Sequence, residues 1–211
     1  MYKDLKYTIF YYPGTGGHII SWLLTLAHQP AFLSDALHCF PSLLETNASK
    51  WRNYERLVFS PICKTVWLSI DNNSELKFRH DLSKIKKIMH MASKHTSTIV
   101  PTMSSKARIR ACYTKKSRPF YYSTCTTSLI KNEKSLYLEN LRRIVSDSDH
   151  TFDYNKILDS TESCVSEIRK ITGKVSDASY ESIDKLLTRY REITPTRLLN
   201  IVDCENKKIP A

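Results

Sequence analysis

The chain's first apolar run, Tyr7 to Tyr12 (Y-T-I-F-Y-Y), is β-branched and aromatic almost throughout and stops at Pro13. An unbroken run of this kind predicts a strand buried on both faces, as in parallel sheets. From Gly17 to His28 the period changes. Ile19, Ile20, Leu23, Leu24 and Ala27 recur at helical spacing, and Pro30 closes the segment. Ala31 to Tyr54 is mixed and aromatic, read as short helix and loop. Short strands are expected at Arg56 to Phe59 and at Thr65 to Ile70, with turn and cap chemistry in Asp71-Asn72-Asn73-Ser74. A basic helix follows on Leu82, Ile85, Ile88, Met89 and Ala92, then a strand at Thr98 to Val100 closed by Pro101. Lys106 to Cys112 alternates basic with small or apolar residues, and Phe120 to Thr124 has strand character. Helices are predicted over Thr127 to Ser146, over Ser160 to Thr172 with Gly173 as the left-handed closing residue, and over Asp177 to Tyr190 ahead of Pro195. Strands alternating with helices predict an α/β fold: a parallel sheet flanked by helices, helical from about residue 127 onward.

With 211 residues, 41% of them hydrophobic, the chain suits one domain spanning 1–211. No apolar run approaches the roughly 18–20 residues that cross a bilayer. The opening M-Y-K-D-L-K has no signal-peptide core, so a cytoplasmic protein is the expectation. Six cysteines without a C-x-x-C pair, and seven histidines without an H-x-x-x-H pair, predict reduced structural thiols and no metal. Charge alters the picture more. Between Leu82 and Asn132 there is no Asp or Glu, while Lys84, Lys86, Lys87, Lys94, Lys106, Arg108, Arg110, Lys115, Lys116, Arg118 and Lys131 are all basic. These eleven equal the net charge of the whole chain, +11, so the flanks together are neutral. The segment is either a solvated basic face or a field that steers polyanions.

Glycine is scarce, with four in all, and three of them (Gly14, Gly16, Gly17) fall between the first strand and the first helix. A strand, a glycine turn and a helix bring several N–H groups to the positive end of the helix dipole, where a phosphate binds without a charged side chain. The phosphate loop G-x-x-x-x-G-K-[ST] is not completed here, because Gly17 and His18 stand where Lys and Ser/Thr belong. That argues against a magnesium-dependent ATPase or GTPase.

The segment Tyr12-Pro13-Gly14-Thr15-Gly16-Gly17-His18 resembles the 5′-phosphosulfate loop of sulfotransferases, written Y-P-K-S-G-T-T-W in cytosolic members and near P-K-T-G-G-T-S in carbohydrate-modifying ones. Pro13, Thr15, Gly16 and Gly17 match the second form position for position. Downstream, Phe152-Asp153-Tyr154-Asn155-Lys156-Ile157-Leu158-Asp159 and a helix ending Ile171-Thr172-Gly173 look like the family's C-terminal pattern. The resemblance covers about a third of the chain. It implies a sulfotransferase-like, P-loop NTPase-like fold that uses 3′-phosphoadenosine-5′-phosphosulfate as co-substrate and no metal. Pro13, Gly14, Thr15, Gly16, Gly17, His18 and Ile19 would then hold the 5′-phosphosulfate. Gly14 departs from the pattern, since it takes the place of the lysine on the bridging oxygen. His18 replaces a Thr, and a protonated imidazole would restore part of the charge. For the 3′-phosphate, Ser69 and Lys77 match poorly, and Arg79, Arg108 and Arg110 are the candidates. The catalytic candidates are His18, His38 in H-C-F-P, and His80.

Two functions follow. One is a small sulfotransferase-like enzyme acting on a hydroxyl or amine acceptor, anionic acceptors included. The other is a non-catalytic module that holds nucleic acid or another polyanion on the basic segment, with Tyr113, Phe120, Tyr121 and Tyr122 stacking on bases or, alternatively, serving as core strand residues.

Overall fold

Tyr7–Tyr11 forms strand β1, with all five residues buried. In this computed structural model the described residues are 4–11, 16–44, 60–67, 85–102 and 144–193, with backbone alone for 39–44, 67 and 193. Along the chain come β1, helix α1 (Gly17–His28), a 3₁₀ turn (Pro30–Phe32), α2 (Leu33–Leu44) and β2 (Cys63–Trp67). Helix α3 (85–92), β3 (Ser97–Thr102), β4 (His150–Asp153), α4 (Asn155–Asp159), α5 (Thr161–Thr172) and α6 (Asp177–Ile193) complete them.

The four strands form one parallel sheet in the order β2-β1-β3-β4. β1 pairs from Tyr7↔Cys63 to Tyr11↔Trp67 on one side and from Tyr7↔Ser97 to Ile9↔Ile99 on the other. The α/β class and the parallel sheet are therefore as expected. Because β1 is central among the described strands and its neighbours lie on opposite sides, strand order reverses at β1. Ligand crevices in open parallel sheets form outside the carboxyl ends of strands at such a reversal.

The chain divides into two compact units. In the first, described over 4–11, 16–21, 61–67, 85–102 and 144–152, the core joins sheet to helix. Phe10, Met89, Val100 and Ile144 are buried together, with Val66, Ile85, Ala92 and Val145 packed around them. β4 is positioned by a reciprocal clasp. Thr98 donates its N–H and its hydroxyl to Asp149 Oδ2 at 2.7 and 2.8 Å, and the Thr98 hydroxyl accepts from the Asp149 N–H at 3.0 Å.

In the second unit, described over 22–44, 60 and 153–193, helices carry the core. Trp22, Leu23, Leu24 and Leu26 are each at most 1% exposed, so α1 is buried well beyond one apolar stripe. Asp153 Oδ1 accepts from the Asn155 N–H at 3.0 Å and so opens α4. Tyr154 is buried, with its hydroxyl 2.6 Å from that of Tyr190. Ser160 caps α5 by accepting from the Ser163 N–H, and Gly173 closes it at φ 80°, bonding back to the Arg169 carbonyl. Glu167, buried on α5, pairs with Lys170 and accepts from the Asp153 N–H at 3.4 Å. The Phe152–Asp159 motif thus has a packing role here.

Several boundaries differ from expectation. α2 is a continuous helix where short helix and loop were expected, its run of polar and aromatic residues with Pro41 inside having hidden the period. β2 starts at Cys63, two residues earlier than expected, because Cys63 pairs with Tyr7. Pro101 lies inside β3 and does not close it. The register with β1 runs only to Ile99, so the missing proline N–H removes no bond from that ladder. β4, four residues long, was not expected at all. The expected strands at Arg56–Phe59 and Phe120–Thr124 lie outside the described residues, as do Lys106–Cys112 and most of the helix expected over Thr127–Ser146.

Candidate functional site

The site is built from the carboxyl end of β1 and the amino end of α1. Gly16 has φ 73°, the left-handed region that a side chain disfavours, and it is the residue just before the helix. Its carbonyl accepts from the Ile20 N–H at 2.9 Å, the first turn of α1. Helical geometry leaves the N–H groups ahead of Ile20 without acceptors inside the helix. α1 also carries no acidic residue in that turn, whereas α2, α5 and α6 carry Asp35, Glu162 and Asp177. The positive end of the α1 dipole is therefore not offset by a carboxylate of its own first turn.

Gly17 serves a different purpose. A Cβ there would fall on the ring of Tyr11, 2.6 Å from Cδ2 and closer still to Cγ and Cδ1. Glycine at this position lets strand and helix approach with an aromatic ring between them. The ring's hydroxyl reaches on to His18, 3.1 Å from Nε2, with the two rings edge to face at 68°. His18 is half-buried, and burial pushes its imidazole below the usual histidine range. The Ser21 hydroxyl donates to the His18 carbonyl at 2.7 Å.

The lowered histidine has a consequence for stability. Its neutral form is favoured in the folded chain, so the unfolded chain binds the proton first as acid is added. The contribution is complete above the unfolded value of 6.5 and is lost as pH falls through the lower folded value. Urea unfolding of ligand-free protein should show stability declining from pH 7 to pH 5. In His18→Gln that part of the decline should be absent, and equal slopes in the two proteins would contradict the assignment.

Of the residues expected at the site, Gly16, Gly17, His18 and Ile19 are contiguous at the head of α1. Ile19 is 3% exposed, so it offers a ligand only its main-chain N–H. His38 is exposed on α2. Pro13, Gly14, Thr15, Arg79, His80, Arg108 and Arg110 lie outside the described residues. Tyr11 was not anticipated. Its signal was the aromatic end of β1 directly before a glycine turn, a place where a ring must lie against whatever follows. No group of His, Cys, Asp and Glu able to hold a metal occurs among the described residues, where Cys63 and Cys164 are buried free thiols. Burial pushes the Cys164 thiol up to about 12. No helix of the described residues is long and apolar enough to cross a membrane. Comparison of the chain with protein-family models, curated proteins and solved structures gives no match.

Proposed function

We propose that the protein binds 3′-phosphoadenosine-5′-phosphosulfate at the turn between β1 and α1 and acts as a divergent sulfotransferase. The observation that carries this reading is the left-handed Gly16 joined to a helix whose first residue, Gly17, admits no side chain, at the carboxyl end of the central parallel strand. A left-handed glycine, close approach of helix and strand, and an acid-free helix start suit a group that bears two negative charges.

The chemistry supplied by the nucleotide is transfer of a sulfuryl group. The bridging S–O bond to the 5′-phosphate breaks as an S–O or S–N bond to the acceptor forms, the acceptor's O–H or N–H proton is released, and adenosine 3′,5′-bisphosphate leaves. The chain's own part is to hold the 5′ end on the amides of Gly16 to Ile19. With Gly14 in place of a lysine, the leaving group lacks one positioned charge, a loss of about 10²–10³ in rate by analogy with removal of an oxyanion donor. His18, held neutral by burial, takes up a proton when an anion arrives beside it and restores part of that charge.

Thermal unfolding with adenosine 3′,5′-bisphosphate checks the reading. At a hundredfold excess over Kd, stabilisation of about 2.7 kcal/mol is expected. Binding should tighten as pH falls from 8 to 6, by about tenfold for each unit that the anion raises the histidine. The same nucleotide should leave His18→Gln bound without that pH dependence. No shift with the nucleotide, together with single-stranded nucleic acid binding of steep salt dependence, would replace this reading with that of a polyanion-binding module.

A further inference from the structure

The apolar surface of helix α3 extends beyond the part that is buried. Met89 faces the core at 1% exposure, with Ile85 and Ala92 packed beside it. Next to this stripe, Ile88 is 49% and Met91 58% exposed, and these are the large apolar side chains that stand out among the described residues. Three residues apart on one helix, they share a face. A surface helix ordinarily shows polar residues there. Around the pair, Lys86, Lys87, His90, Lys94 and His95 are exposed, and from Leu82 to Asn132 the sequence has no acid. Among the described residues, Lys86 is paired with Asp147 at 2.8 Å, and Asp149 is held in the clasp with Thr98.

We propose that the exposed surface centred on Ile88 and Met91 of α3, with Lys87 beside them and Lys94 in the turn that follows the helix, docks on an anionic lipid surface. The charge calls for an anionic partner, and the apolar pair selects among such partners. A nucleic acid would satisfy the lysines but leave Ile88 and Met91 facing phosphate and water. A bilayer takes both: lysines rest among anionic headgroups while the apolar pair enters the boundary with the acyl chains. This places the protein at a membrane surface.

Co-sedimentation of the full chain with vesicles of phosphatidylserine and phosphatidylcholine, against phosphatidylcholine alone, tests the proposal. Partition is expected into the anionic vesicles only, and it should weaken as salt is raised. Lys87→Gln with Lys94→Gln should lower it about 30-fold, and Ile88→Ser with Met91→Ser about tenfold. Lys87, Lys94 and Met91 are exposed and Ile88 is about half so, so the melting midpoint should move little. As an independent readout, Ile88→Trp should show a blue shift in emission on anionic vesicles beyond that of the parent chain. No partition into anionic vesicles overturns the proposal. So does partition indifferent to the Ser pair, which would be charge alone. Concentration-dependent self-association abolished by the Ser pair would instead make this face a contact between copies.

Discussion

Gly17→Ala is expected to lower the stability of the folded chain by about 3 kcal/mol, the upper part of the range for overpacking a filled site. The new methyl group would occupy the ring of Tyr11, which is itself only 8% exposed. The ring cannot yield by a small rotation, because its hydroxyl is bonded to His18 and it ends the central strand. Urea unfolding measures the loss, and a double-mutant cycle identifies its cause. In a Tyr11→Ala background the same glycine change should cost much less, since the obstructing ring is gone. Equal costs in both backgrounds would mean that Gly17 is required for some other reason. Gly16→Ala should be milder, about 1–2 kcal/mol for a non-glycine residue in the left-handed region. Both variants should weaken the nucleotide-induced shift, because both disturb the turn that presents the amides.

Phe10→Ala should cost more, about 3–5 kcal/mol. Phe10 is 1% exposed and forms the buried cluster with Met89, Val100 and Ile144, so its removal leaves a cavity shared by sheet and helix. Against the roughly 5–15 kcal/mol that stabilises an ordinary domain, this is a large share. The urea midpoint should fall with little change in slope. Met89→Ala, acting on the same cavity, should be less than additive with it. A loss below about 1 kcal/mol for Phe10→Ala would mean that α3 does not pack on β1 as described.

Legibility varied with how local the signal was. β1 and α1 were readable because five β-branched or aromatic residues in a row, and then a helical period opening at a glycine cluster, are patterns contained in the segment itself. The same holds for α5, whose Ser160 cap and Gly173 close are side-chain and backbone chemistry within one helix. β4 was not readable. Its four residues include only one buried one, Phe152, and it is held as a strand by the Asp149–Thr98 clasp, 51 positions apart in sequence. The start of β2 at Cys63 likewise depends on where Tyr7 pairs.

At the candidate site the division is similar. By itself, the sequence determined that a scarce residue type clusters between a buried strand and a buried helix, that no lysine completes the cluster, and that positive charge is gathered in one acid-free stretch. Those are properties of composition and spacing, and folding cannot alter them. Only the tertiary structure decided what each glycine is for: Gly16 for its left-handed backbone, Gly17 for the Tyr11 ring laid against it. It also decided that burial lowers the pKa of His18 and that Ile88 and Met91 are exposed. The reason is that backbone angle, burial and ring contact are set by neighbours brought in through folding, and a linear period fixes none of them.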